Sequence, residues 1–163
     1  MVLFFAALGV AMGLWAQDRE AEMATVLAAP ASASHRVRVG DVRLELRGMY
    51  VLGGLLWFSL RVSNGSVIDW RGTPMRILIR DRRVWKRRAR QELTLATAVR
   101  RETLLVRSDS AVALCYGLSP RLPGKGQDLV LEWRERNGDR RMILRLDRKD
   151  ILHSKKLDRY ASR

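Results

Sequence analysis

The densest chemistry in this chain lies in one short run, Arg80 to Arg90. It carries seven basic side chains (Arg80, Arg82, Arg83, Lys86, Arg87, Arg88 and Arg90) against one acid, Asp81, and embeds one aromatic, Trp85. Guanidinium groups pair bidentately with carboxylates and phosphates. Arg82, Arg83, Trp85, Lys86, Arg87, Arg88 and Arg90 therefore form a candidate docking surface, with Trp85 as its anchor or stacking group. Charge that guards a sheet edge would explain part of the pattern, but the run is denser than edge protection needs. The whole chain shares the bias: its 163 residues hold 31 Lys and Arg against 17 Asp and Glu, a formal net charge of +14. That balance calls for an acidic partner, which an acidic protein surface, nucleic acid or anionic lipid could each supply.

The other reactive side chains stand alone. Cys115 is the single cysteine, so no intrachain disulfide can form. It alternates with Val112, Leu114, Tyr116 and Leu118 and reads as a small residue packed in a strand. A nucleophile would need a base, and the chain offers only His35 and His153; the same scarcity leaves no closely spaced zinc ligands. Glu132 and Glu135 are scattered among arginines and do not resemble a catalytic carboxylate pair. Gly124-Lys125-Gly126 lacks the rest of a phosphate-binding loop and reads as a loop after Pro123. Asn64, Ser66 and Asp69 read as turn residues that bond local backbone, and Trp57, Trp70 and Trp133 as core or rim aromatics. The residues thus predict no enzyme, no cofactor and no metal site.

The elements that would carry the basic run are strands. Arg43 to Arg47 alternates with period two, and Leu56, Phe58, Leu60 and Val62 fall on one face of the next strand. Gly53-Gly54 between them suits a tight hairpin turn. Met75, Ile77 and Ile79 mark a third strand, with Arg76 and Arg80 pointing outward. Ala111 to Leu118, Leu129 to Arg136 and Met142 to Leu146 supply more, the last two joined by the hairpin signal Asn137-Gly138. No helical period separates these strands, which argues against parallel βαβ units. The expected fold is all-β: an immunoglobulin-like antiparallel β-sandwich of about seven strands, with a short C-terminal helix between Asp147 and Leu157. Its predicted core contains Leu56, Phe58, Leu60, Ile77, Ile79, Leu114, Leu131 and Leu144.

Met1 to Gln17 carries no charged side chain and has the length of a signal-peptide core. Residues 1–16 are read as an export signal cut after Ala16, in preference to a short membrane anchor or an uncut core helix, 17–40 as a linker rich in Ala, Ser and acid around Pro30, 41–152 as the folded domain and 153–163 as a basic tail. No cysteine lies near the cut, which excludes lipoprotein attachment.

An ordered series of short signatures runs through the chain: Trp57-Phe58-Ser59-Leu60, Ser63-Asn64-Gly65-Ser66, Ile68-Asp69-Trp70, Ile77-Leu78-Ile79-Arg80-Asp81, then Lys86 to Leu93. From Val42 to Ile151 the chain resembles the C-terminal domain of TraN-type proteins of Bacteroidetes-type conjugative transposons. The resemblance implies the same sandwich fold and a non-enzymatic envelope component of a conjugative transfer machine. It implies other transfer proteins as partners, and a place in the periplasm or at the outer membrane. In that family segment, too, basic positions follow the strand. A periplasmic or surface binder of nucleic acid or anionic envelope polymer is the alternative, ranked below protein docking. TraN-type proteins generally carry a further region before this domain, so the short stretch from Ala16 to Val42 suggests a shortened homologue, an orphaned copy or an incomplete gene.

Overall fold

Alternating apolar side chains fold this chain into two facing antiparallel sheets. The computed structural model describes residues 3–32, 35–82 and 91–158, with side chains described from residue 16 onward. Helix α1 (Leu3–Ala28) comes first, followed by β1 (Arg36–Val39), β2 (Val42–Leu52), β3 (Leu55–Asn64) and the short β4 (Trp70–Arg71). Next are β5 (Arg76–Asp81), β6 (Glu92–Thr94), β7 (Val99–Arg101), β8 (Leu105–Val106) and β9 (Ser110–Leu118). The chain ends with β10 (Gln127–Arg134), β11 (Arg141–Leu146), α2 (Arg148–Leu152) and β12 (Lys155–Lys156). One sheet has the order β1-β2-β3-β9-β7, with β12 joining the edge of β2; the other has the order β11-β10-β5-β6; β4 and β8 form a small separate pair. The order β2-β3-β9-β7 facing β11-β10-β5-β6 is the immunoglobulin-type arrangement expected from the strand pattern.

All eight residues expected in the core are buried, and Leu56, Phe58 and Leu60 lie together on the inner side of β3. They meet Ile77, Leu131, Trp133 and Leu144 from the opposite sheet in one cluster. Trp133 packs on Trp70 with ring centroids 5.5 Å apart, and its indole N–H donates to the Thr73 carbonyl at 2.7 Å. Gly53 and Gly54 have φ of 59° and 77°, the left-handed pair that a two-residue hairpin turn needs. The Asn137-Gly138 hairpin forms by a different route. Neither residue has positive φ, and a longer loop is closed by the Glu135 N–H donating to the Arg140 carbonyl at 2.9 Å. The Arg140 guanidinium also grips the Glu135 carboxylate, which stabilises this wider closure.

The segment read as a linker is structured instead. Through Ala28 it belongs to α1, and residues 36–39 form β1. The expected boundary after Ala16 falls inside a continuous helix. The cause is the outer face of the larger sheet, where Tyr50, Leu52, Leu55, Trp57 and Cys115 are apolar and need cover. Val26 packs among them, with Met23, Leu27 and Ala29 alongside. The Tyr50 hydroxyl donates to the Pro30 carbonyl at 2.6 Å, and the Ser32 N–H to the Arg47 carbonyl at 2.7 Å. The expected basic tail is also partly docked: Lys155 and Lys156 pair in parallel with Tyr50 and Val51. The C-terminal helix is short, capped by Asp147 and Asp150 reciprocally. Among the described residues no helix is long and apolar enough to cross a membrane. Because Val26 is fully buried, Val26→Ala is expected to cost about 1–3 kcal/mol, read as a lower urea midpoint; a variant as stable as the parent would return this segment to linker status.

Candidate docking face

Outward-facing residues of the smaller sheet assemble a lattice of charge. Alternation along β10 puts Asp128, Val130, Glu132 and Arg134 on one face. The pairing sets Arg76 and Ile143 beside Glu132, and Arg141 beside Arg134. Glu132 is the hub, although its carboxylate is fully buried. One oxygen accepts from Arg134 Nε and Nη2 at 2.9 and 2.8 Å and from Arg141 Nη1 at 3.4 Å. The other accepts from Arg80 Nη2 at 3.1 Å and Arg76 Nη1 at 3.5 Å. Burial alone would push this carboxyl upward; the Arg134 hydrogen bonds and charge, with Arg80 and Arg76, outweigh it and hold Glu132 below the ordinary glutamate range.

Arg80 does not point into solvent as its place in the alternation suggested. It is 7% exposed, held between Glu132 and Glu92, whose carboxylate is 2.7 Å from Arg80 Nε. The reason is β6, which returns beside β5 and sets Glu92 opposite Arg80. Arg76 is exposed as expected. Six arginines (76, 80, 82, 134, 141 and 145) thus share this face with three acids, Glu92, Asp128 and Glu132, leaving a surplus of positive charge.

Of the candidate docking residues, Arg82 is placed at the end of this lattice. Its Nε donates to Asp128 Oδ1 at 2.6 Å and its N–H to the Gly126 carbonyl at 2.9 Å. Arg83, Trp85, Lys86, Arg87, Arg88 and Arg90 lie outside the described residues. Their flanks are neighbours: the Asp81 N–H donates to the Gln91 carbonyl at 3.3 Å, and the Gln91 N–H returns to Asp81 Oδ2 at 3.3 Å. Gln127 fixes the same corner by donating to Asp81 Oδ1 at 3.0 Å. The basic run therefore leaves from and returns to one corner of the arginine face.

The remaining polar groups act in structure. Cys115 is buried and its thiol is pushed up to about 12, by burial first and against the lowering effect of Arg101, so it is not a thiolate near neutral pH. Glu135 is held low mainly by the Arg140 hydrogen bonds, while Arg140 lies 5.0 Å over the Trp70 ring. His35 sits 3.3 Å from Asp150. Asn64 and Ser66 make the expected local bonds, with Asn64 Oδ1 accepting from the Ser66 N–H at 3.1 Å; Asp69 instead accepts from the distant Ser108 N–H at 2.9 Å. No group of three or more metal-ligating side chains occurs among the described residues. Sequence reasoning missed Glu102. From an irregular segment it accepts the Met75 N–H at 2.7 Å and the Tyr116 hydroxyl at 2.8 Å, tying one sheet to the other; no periodicity marks it.

The described strands form an all-β sandwich of antiparallel sheets. The sequence matches the family described as Domain of unknown function (DUF4138) over residues 18–156, and the chain belongs to that family. No curated protein matches the chain, and no solved structure does.

Proposed function

We propose that this chain is an exported, non-enzymatic docking component of a conjugative transposon's transfer apparatus, acting through protein–protein contacts in the periplasm or at the outer membrane. The observation that carries the docking role is the placement of charge. An arginine lattice organised by Glu132 runs along β5 and β10 to the corner where Asp81 and Gln91 tie the two ends of the basic run together. Fixed guanidinium groups lose little freedom on meeting carboxylates, which favours tight and oriented contact. The TraN-type resemblance supplies the apparatus as partner. The uncharged stretch before Ala16 supports export, and the family match begins at residue 18, just after the cut expected at Ala16.

An acidic protein surface suits this face better than nucleic acid. Every tryptophan and tyrosine with a described side chain is buried, so the described surface offers no stacking platform for bases.

Reversing Arg87, Arg88 and Arg90 to Glu tests the reading. The expected result is an unchanged melting temperature with loss of co-purification with transfer proteins from the native host. Binding of DNA by the parent near physiological salt, with log K falling steeply against log salt and abolished by the triple reversal, would favour the nucleic-acid reading instead.

A further inference from the structure

A second surface lies at the other end of the sandwich. β3 ends at Asn64 and β5 sets out from that same end, so the loop 65–69 is remote from Asp81 and Gln91. Its tip displays two β-branched apolar side chains, Val67 at 89% and Ile68 at 65% exposure. The loop is nevertheless firmly tied. Asn64 Nδ2 donates to the carbonyls of Ile68 at 2.8 Å and Val106 at 3.1 Å. The Ser66 hydroxyl donates to Asn64 Oδ1 at 2.7 Å, and the Ser108 N–H donates to Asp69 Oδ1 at 2.9 Å. The Gly65 N–H reaches the Asp41 carbonyl at 3.0 Å. A loop so anchored holds its apolar tip in water without any packing return. Beside it, an open groove of about 500 Å³ is lined by Arg38, Arg43, Ser63 and Ala111 together with Asp41 and Asp109. Arg43 and Arg107 are exposed and have no ion pair to a described residue, whereas Arg38 is paired with Asp41 at 2.6 Å.

We propose that this loop and groove form a second docking surface, which takes a protein segment carrying an apolar side chain flanked by carboxylates. Val67 and Ile68 enter the partner's apolar patch, and Arg43 and Arg107 meet its acids. Apolar anchors ringed by charge are the usual anatomy of a protein contact. Two apolar side chains give a bilayer little area to hold, and no exposed tryptophan or tyrosine among the described residues offers bases a stacking face. A second copy of this chain is disfavoured by the like charge of +14 on each. The inference stands independently of the basic run, and the two surfaces together would let the domain bridge two partners.

Nuclear magnetic resonance titration of the full chain with a synthetic peptide of glutamate and leucine tests it. Polyglutamate, a single-stranded oligonucleotide and phosphatidylglycerol vesicles serve as competing probes. The expected result is shift changes centred on residues 63–68 and 107–111. Binding should weaken at least tenfold in Val67→Ser/Ile68→Ser and in Arg43→Glu/Arg107→Glu, with melting temperatures unchanged because all four residues are exposed. Arg87→Glu/Arg88→Glu/Arg90→Glu should bind the peptide normally, which separates this surface from the first. The proposal is overturned by shifts centred elsewhere, by no binding, by insensitivity to the serine variants, or by a competing probe that binds the loop as tightly as the peptide.

Discussion

Glu132→Ala is expected to destabilise the domain by about 3–5 kcal/mol, the usual cost of removing one partner from a buried charge cluster. The lower part of that range is expected, because Arg76, Arg134 and Arg141 are 43%, 49% and 49% exposed and water will take up part of their charge. Arg80, only 8% exposed at the side chain, is the group left stranded. Removing one of the exposed partners, as in Arg134→Ala, should cost under about 1 kcal/mol. Chemical denaturation of the two variants measures this asymmetry; equal costs would deny Glu132 its place as the hub. The effect must also depend on pH. The folded-state carboxyl is held below its ordinary value, so its stabilising contribution is complete above about pH 5 and is lost as pH falls through the lowered folded value. Parent and Glu132→Ala should therefore converge in stability in acid.

Trp133→Ala is expected to cost about 3–5 kcal/mol. The indole is fully buried, packs on Trp70 and donates to the Thr73 carbonyl. Trp133→Phe keeps much of the apolar area and loses the hydrogen bond, so a smaller cost of about 1–2 kcal/mol is expected. Gly72 sits against the same ring. A Cβ there would collide with the Trp133 indole, so Gly72→Ala should be destabilising in the parent and much less so beside Trp133→Ala. Urea midpoints of the four proteins, including the double variant, close the cycle. Additive costs would mean that the close approach of Gly72 and Trp133 has no energetic weight.

The sandwich was legible because its evidence is local. Leu56, Phe58 and Leu60 repeat with period two, and a strand with that pattern can bury only one face, so core membership follows from alternation alone. Gly53-Gly54 named its turn for the same reason: two consecutive residues without a Cβ tolerate the left-handed pair of angles. The dense charge of Arg80 to Arg90 and the isolation of Cys115 were equally plain, since both are matters of residue type and spacing.

What the amino-acid order could not disclose depends on partners distant along the chain. Residues 17–28 carry only three large apolar side chains, Met23, Val26 and Leu27, and they pack because the outer face of β2, β3 and β9 presents Tyr50, Trp57 and Cys115 for Val26 to cover. Glu132 looked like one acid among many arginines; sheet pairing makes it a hub by setting β5 on one side of β10 and β11 on the other. Arg80 is covered on the outer face for the same reason, because β6 set Glu92 against it. Composition and alternation along the sequence by themselves determined the fold class, the core and the sign of the surface charge. Only the tertiary structure decided which charges are paired and which apolar groups stay uncovered, because both depend on contacts between strands that the chain order does not place together.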